Sequence, residues 1–450
     1  MIATEPLRAL TEALLSEARR AGAAEADAIA LRGTATAIEV RGGQLEHAER
    51  ADGVEIGLRV LLGGRQACVS ASETSPDVLR ALAERAVAMA RESPVDDTLG
   101  LADPGQLAAA RDARGLELAD EAPDPLPAAL QDMALRAEAA ALSRPGISQC
   151  ESAHASFSRR AVWIAASNGF SGGYGRSSHT LSAVAITGEG TGMERDWAAE
   201  SRVFAEDLPG PEEIGLRAAD RTLARAGAGR PPTGAVPILF DERVAGGLIG
   251  HLLSAINGNA IVRGASWLRD ALGEAVLPPG MDLREDPHLP RHPASRPFDA
   301  EGLATAPRLL VRDGVLQGWT LDLSTGRKLG LPSTASAARG VAGPPSPVVS
   351  NVILTEGAAS PEALIAEMGR GLLVTSMLGA SINPTTGDYS RGASGFWIEG
   401  GRISHPVNEC TIAGNLREML LTLTPANDTP RWRTQAVPSL RVEGMTVAGA

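Results

Sequence analysis

The stretch best suited to chemistry is Val244–Gly258, VAGGLIGHLLSAING, which follows the strand-like Val236–Phe240 and has the pattern of a helix carrying one histidine, His251. A helix that brings zinc ligands and a general base to a metal does so with two histidines and a glutamate close together along one face. Here the positions five and four residues before His251 are Gly246 and Gly247. Glycine has no side chain with which to ligate a metal, abstract a proton or polarise a water. The stretch has the outline of a metal-binding helix without its donors, and a single histidine on a helix is by itself a structural residue.

Other constellations fare no better. Cys410 has His405 nearby in sequence, but a cysteine nucleophile needs its histidine close in space, which Pro406 and a strand-like pattern do not provide. Ser394 lies in a glycine loop, Gly392–Gly395, with no helix after it as a nucleophile elbow requires. Lys328, the single lysine, is flanked by Arg327 and Gly330 and not by the apolar pocket of a Schiff-base lysine. His288 and His292 are interspersed with Pro287, Pro290 and Pro293, so no helical face pairs them as ligands. Gly188–Gly192 and Ser171–Arg176 are glycine-rich, but lack both the Lys-Ser/Thr ending and the strand–glycine–helix setting of a phosphate loop. They are expected as turns between antiparallel strands.

The elements that would position these residues divide the 450-residue chain into two or three folding units. The periodicity predicts a helix from Glu5 to about Gly22 with Leu7, Leu10, Leu14 and Ala18 inward. Strands follow at Asp27–Leu31 and Ala35–Val40, then a turn at Gly42-Gly43, a strand at Val54–Val60 and a helix begun by Ser75-Pro76. Residues 104–127 form a linker into a helix at 127–143. Strands resume at Ile147–Ser158, Ala161–Ala166 and Ser178–Thr187, with a turn at Asn168-Gly169, and a helix spans Pro211–Ala226. Gly227–Gly234 is a domain boundary. No internal repeat is evident. The expected fold class is α+β: a small N-terminal α+β unit (1–103) joined with a middle α+β region (104–226) into one lobe, then a mostly antiparallel β C-terminal domain (235–450).

Composition narrows the function classes. A formal net charge of -12 argues against nucleic-acid or anionic-membrane surfaces, which need a basic patch. No run approaches the roughly 20 apolar residues of a membrane span, and Met1–Arg8 has no signal-peptide pattern. Three scattered cysteines, Cys68, Cys150 and Cys410, suit reduced thiols and a cytoplasmic location.

Several C-terminal stretches, in order, resemble the TldD/PmbA family: Arg308–Gln317, Thr325–Leu331, Ile382–Ser390, Gly414-Asn415 and Pro438–Gly444. The resemblance covers nearly the full chain. It implies metal-dependent peptide cleavage by a two-subunit protease, in which the TldD-type subunit carries a His-Glu-x-x-x-His helix and a late cysteine that helps hold zinc. Registered on that motif, this chain has Gly246 for the first histidine, Gly247 for the glutamate, and only His251 in place; no cysteine follows Cys410. The resemblance therefore implies a PmbA/TldE-type subunit without catalytic residues or a cofactor of its own. Zinc is expected in a TldD-like partner, with which the chain forms a heterodimer, and a homodimer is the alternative when it is isolated. Extended or unfolded peptides are the expected ligands, and the loop carrying Asn383, Asp388, Tyr389 and Arg391 is either solvated or a contact surface for peptide or partner. A stand-alone peptide-binding, chaperone-like homodimer and an independent hydrolase using His251 or Cys410 are the competing readings.

Overall fold

The structure, a computed structural model, describes residues 4–449. Met1–Ala3, part of the stretch inspected for a signal peptide, lie outside the described residues. Helix α1 (Glu5–Arg20) starts on Pro6, where a missing N–H costs no helical hydrogen bond, and stops before Gly22, which turns the chain at φ 97°. Its buried stripe is Leu7, Thr11, Leu14 and Ala18. Leu10, expected inward, is half-buried against the same core, and Thr11 joins the stripe because its hydroxyl is satisfied by the Arg8 carbonyl at 2.8 Å.

Next come β1 (Glu25–Arg41), β2 (Gln44–Leu62), β3 (Arg65–Ala71) and α2 (Pro76–Glu92). A largely irregular connection follows, then α3 (Pro127–Leu142), β4 (Ile147–Ala166), β5 (Ser171–Thr187), β6 (Glu194–Arg202) and α4 (Pro211–Ala224). The strands form one antiparallel sheet in the order β3-β2-β1-β4-β5-β6. Helix, three strands, helix occurs twice, and the two halves meet where β1 pairs with β4. The repeat absent from the sequence is therefore present in the topology.

The helices bury one face of this sheet. Leu7, Leu14, Leu79 and Leu82 pack on Ile56, Leu58 and Val60, while Leu130 and Ile214 pack on Ala153, Phe157 and Leu181. Helices α3 and α4 approach closely because residue 215 is glycine: a Cβ there would lie 2.1 Å from the Ala137 carbonyl oxygen. The two strands expected before the first glycine turn are one, since β2 and β4 flank β1 on both sides and pair Gly33 with Gly53 and Arg160. The two expected between 147 and 166 are likewise one. Ser171–Arg176 is strand and not turn, and its Gly173 leaves room for the Trp163 ring, 2.3 Å from where a Cβ would stand. Ser75 occupies the N-cap of α2 without capping it; its hydroxyl bonds Glu73 instead.

In the C-terminal unit, β7 (Gly234–Phe240) lies beside Arg370–Ile382, which pairs with Asp388–Glu399, which pairs with Arg402–Asn415. Strand Leu440–Ala448 pairs with both β7 and Arg402–Asn415, closing the ring. All pairings but β7 with Arg370–Ile382 are antiparallel. Ile238, Phe240, Leu372, Val374, Trp397, Val407, Ile412 and Val442 share one buried core with the helix α5 (Glu242–Ala255).

The lobes are joined through the other face of the N-terminal sheet. Ile29, Ile164 and Phe170 meet Phe298, with the two phenyl rings 5.0 Å apart edge to face. Beside them Arg59 binds Asp27 at 2.6 Å, and Arg339 binds the second oxygen of the same carboxylate. Gly57 admits the Val341 carbonyl, which a Cβ would meet at 2.1 Å. Lys328 pairs with Asp96 at 2.7 Å, so the single lysine is a tether between lobes.

Candidate functional site

Helix α5 is placed by the end of β7. Asp241 caps it by accepting from the Arg243 amide at 3.0 Å, and the Arg243 guanidinium spans Asp241 (2.8 Å) and Asp196 of β6 (3.2 Å), pinning the helix start to the other lobe. Ala245, Leu248, Ile249, Leu252 and Leu253 face the core. The opposite stripe is Gly246, Gly247, Gly250 and His251, none of them buried. Interior helical glycine costs about 0.8–1.0 kcal/mol relative to alanine. Packing does not require it here: a Cβ at Gly246 would meet nothing nearer than Gln435 Oε1 at 3.6 Å, and at Gly247 nothing nearer than Met377 Cε at 3.6 Å.

The surroundings of His251 do not fit a zinc ion. Its ring meets Tyr389 edge to face, centroids 5.8 Å apart, and the Tyr389 hydroxyl points to Met377 Sδ at 3.3 Å. Burial and then the nearby Arg391 cation lower the imidazole pKa, and that cation opposes a metal ion as it opposes a proton. Among the described residues no three His, Cys, Asp or Glu side chains converge as a ligand set. Cys410 is elsewhere in the barrel: its thiol faces the Ala393 carbonyl at 3.2 Å, and burial pushes its pKa up to about 11. His405 is exposed five residues earlier on the same strand, bonded to Ser404, so the two form no nucleophile–base pair.

The residues proposed for peptide or partner contact lie on the hairpin between Arg370–Ile382 and Asp388–Glu399, whose loop is shorter than expected. Asn383 accepts from the Thr385 and Thr386 amides, and Asp388 from Thr386 and Asn415, so both side chains hold the turn. Arg391 donates to the Gly379 carbonyl at 2.7 Å. Tyr389 is 2% exposed and belongs to the core beneath His251, which removes it from any contact surface. His288 bonds Thr305, and His292 lies between the Pro290 and Arg431 carbonyls, in separate surroundings.

Gly246 and Gly247 instead form part of a cleft of about 550 Å³ between the lobes. One wall is Thr180 and the β6 residues Trp197 and Ala199 to Arg202; the other is the start of α5 with Pro293 and Trp432 to Gln435. Strand β6 and Trp432 gave no signal in the sequence. The charged groups lining the cleft are paired: Glu200 with Arg202 (2.8 Å) and Arg217 (2.7 Å), Glu242 with Arg433 (2.7 Å), and Arg243 with Asp196 and Asp241.

This fold defines a class with known relatives. Residues 26–90, 120–226 and 233–449 match, respectively, domain 1, the central domain and the C-terminal domain described as PmbA/TldA metallopeptidase. The chain belongs to the PmbA/TldD metallopeptidase family. Within it, the chain is 35% identical to the metalloprotease PmbA of Escherichia coli O157:H7, over 92% of this chain and 90% of that protein. It is also 35% identical to the PmbA homolog of Haemophilus influenzae, over 99% and 96%. A crystal structure from Bacteroides thetaiotaomicron, described as a candidate modulator of DNA gyrase, superposes with a TM-score of 0.91 at 26% identity, covering 100% of both chains. No helix among the described residues is long and apolar enough to cross a membrane.

Proposed function

We propose that this chain is the non-catalytic, TldE-type subunit of a two-subunit zinc-dependent peptidase, holding an extended peptide in the lobe-spanning cleft while a TldD-like partner supplies the metal and the hydrolysis. The observation that carries the reading is the donor set on α5. Where the related catalytic helix has histidine and glutamate, this one has Gly246 and Gly247, and His251 is left with Tyr389 and a nearby arginine. Without a carboxylate to take a proton from water, and with one imidazole where a zinc site needs at least three donors, these residues cannot assemble a metal hydroxide. Binding needs none of them, because an extended backbone is held by hydrogen bonds and pockets.

The test is purification of the chain alone and together with a TldD-like protein carrying His-Glu-x-x-x-His. The expected result is less than stoichiometric zinc by elemental analysis and no peptide hydrolysis for the chain alone, with hydrolysis appearing when the partner is added. Stoichiometric zinc lost on His251→Ala, together with turnover by the isolated chain, would overturn it.

A further inference from the structure

We propose, on the strength of that peptide-binding reading, that the cleft selects a peptide segment bearing an aromatic, uncharged side chain, which rests against Trp197 and Trp432 above Gly246 and Gly247. Aromatic residues make up only 3% of this chain, and six of them are tryptophan. Trp267, Trp319 and Trp397 are buried, and Trp163 is partly covered and donates to Ser171. The two exposed ones, Trp197 at 46% and Trp432 at 37%, line the same cleft, one from each lobe. Large apolar surfaces from separate elements converging in one concavity mark a binding site for apolar surface.

The aromatic wall is held in place. The His292 ring stacks on Trp432 at 5.8 Å and 23°, and is itself fixed between the Pro290 carbonyl (2.7 Å) and the Arg431 carbonyl (2.9 Å). The Arg202 guanidinium lies 5.4 Å from the Trp432 ring centre. An indole braced this way keeps its face presented without paying to order itself when a ligand arrives.

The floor and the polar groups fit the same occupant. Two helix-weakening glycines stand where alanine would meet no clash, and larger side chains there would occupy the space between the tryptophans. The charged side chains around the cleft are consumed in pairs with one another, so a charged peptide side chain would find no free counter-charge. The Gln435 amide lies 3.6 Å from the Cβ position of Gly246, and it makes no side-chain hydrogen bond among the described residues. One amide group offers the donor and acceptor that a peptide unit requires.

The test is calorimetric titration of the full chain with acetylated, amidated Gly-Gly-Phe-Gly-Gly and its Ala and Glu counterparts. The phenylalanine peptide should bind about ten-fold more tightly than the alanine one, with the glutamate peptide weakest. Trp197→Ala and Trp432→Ala should each erase that preference, bringing the phenylalanine peptide to within about two-fold of the alanine one. Gly247→Leu, which favours the helix, should block all three peptides. Equal binding of the three peptides by the native chain, or an intact phenylalanine preference in either folded tryptophan variant, would overturn the selectivity and leave peptide binding standing. Binding of none of them to the native chain would overturn peptide binding and the selectivity with it.

Discussion

Asp27→Asn should destabilise the joint between the lobes. The Asp27 carboxylate is shared by Arg59 and Arg339, and the three side chains are 4%, 5% and 0% exposed. Asparagine keeps the shape and removes the charge, leaving two guanidinium groups out of water with no carboxylate between them. Breaking a buried pair in this way costs about 3–5 kcal/mol. With an unfolding entropy of about 2.1 cal/mol/K per residue, the 450-residue chain has roughly 0.95 kcal/mol/K at the midpoint. The melting temperature should therefore fall by about 3–5 °C, followed by differential scanning calorimetry or circular dichroism. Adding Arg339→Met should recover part of the loss, and Arg59→Met with it most of the remainder, because each step removes a stranded charge. An Asp27→Asn protein melting within about 1 °C of the native chain would show that these charges reach water, and would refute the reasoning.

Three further outcomes follow from other residues. Burial raises the Glu301 and Asp299 carboxyls above the ordinary range, and the neighbouring Asp299 charge adds to the rise at Glu301, so the folded chain keeps protons that the unfolded chain has released. Stability from this source is present below the unfolded glutamate pKa of about 4.3 and is lost as pH rises through the folded values. Glu301→Gln keeps an acceptor for the Leu323 amide, so its melting temperature relative to the native chain should climb between pH 5 and pH 8, and a constant difference would contradict this. Gly246→Ala and Gly247→Ala should each stabilise the chain by about 0.5–1 kcal/mol in urea titrations. Gly215→Ala, facing the Ala137 carbonyl, should cost about 1–3 kcal/mol or more, and the same sign for all three would be the contrary result.

Much of the architecture was legible in local signals. The opening helix ends where Gly22 allows a positive φ, and the Gly42-Gly43 and Asn168-Gly169 turns separate the strands they were expected to separate. Long-range pairing was not legible. Gly33 looks like a break in the sequence, but with strands on both sides its backbone is fully engaged, so local propensity is overridden. Strand β6 is charge-rich and short of the usual alternation, because it is an edge whose Asp196 is engaged by Arg243 across the lobes and whose Glu194 is engaged by Arg225 at the end of α4 in its own lobe. At the site, Gly246, Gly247 and His251 could be singled out in the sequence, and they share one stripe of α5. The cleft was not legible, since Trp197 and Trp432 are more than two hundred residues apart and only the lobe packing brings them together. That the side chains of the hairpin hold their own turn was not legible either, because a glycine-rich, polar stretch describes a loop and a turn-holding strand end equally well.

The closed ring of the C-terminal unit imposes an order of events during synthesis. Strand Leu440–Ala448 lies between β7 and Arg402–Asn415, so the first strand of the ring waits for a neighbour about two hundred residues downstream. At a ribosomal pace of about 5–20 residues per second, that interval is some 10–40 seconds. The N-terminal sheet has all its strands by then. Throughout that delay α5 has its apolar face without the barrel to cover it, and the nascent chain is exposed to association until the final strand arrives.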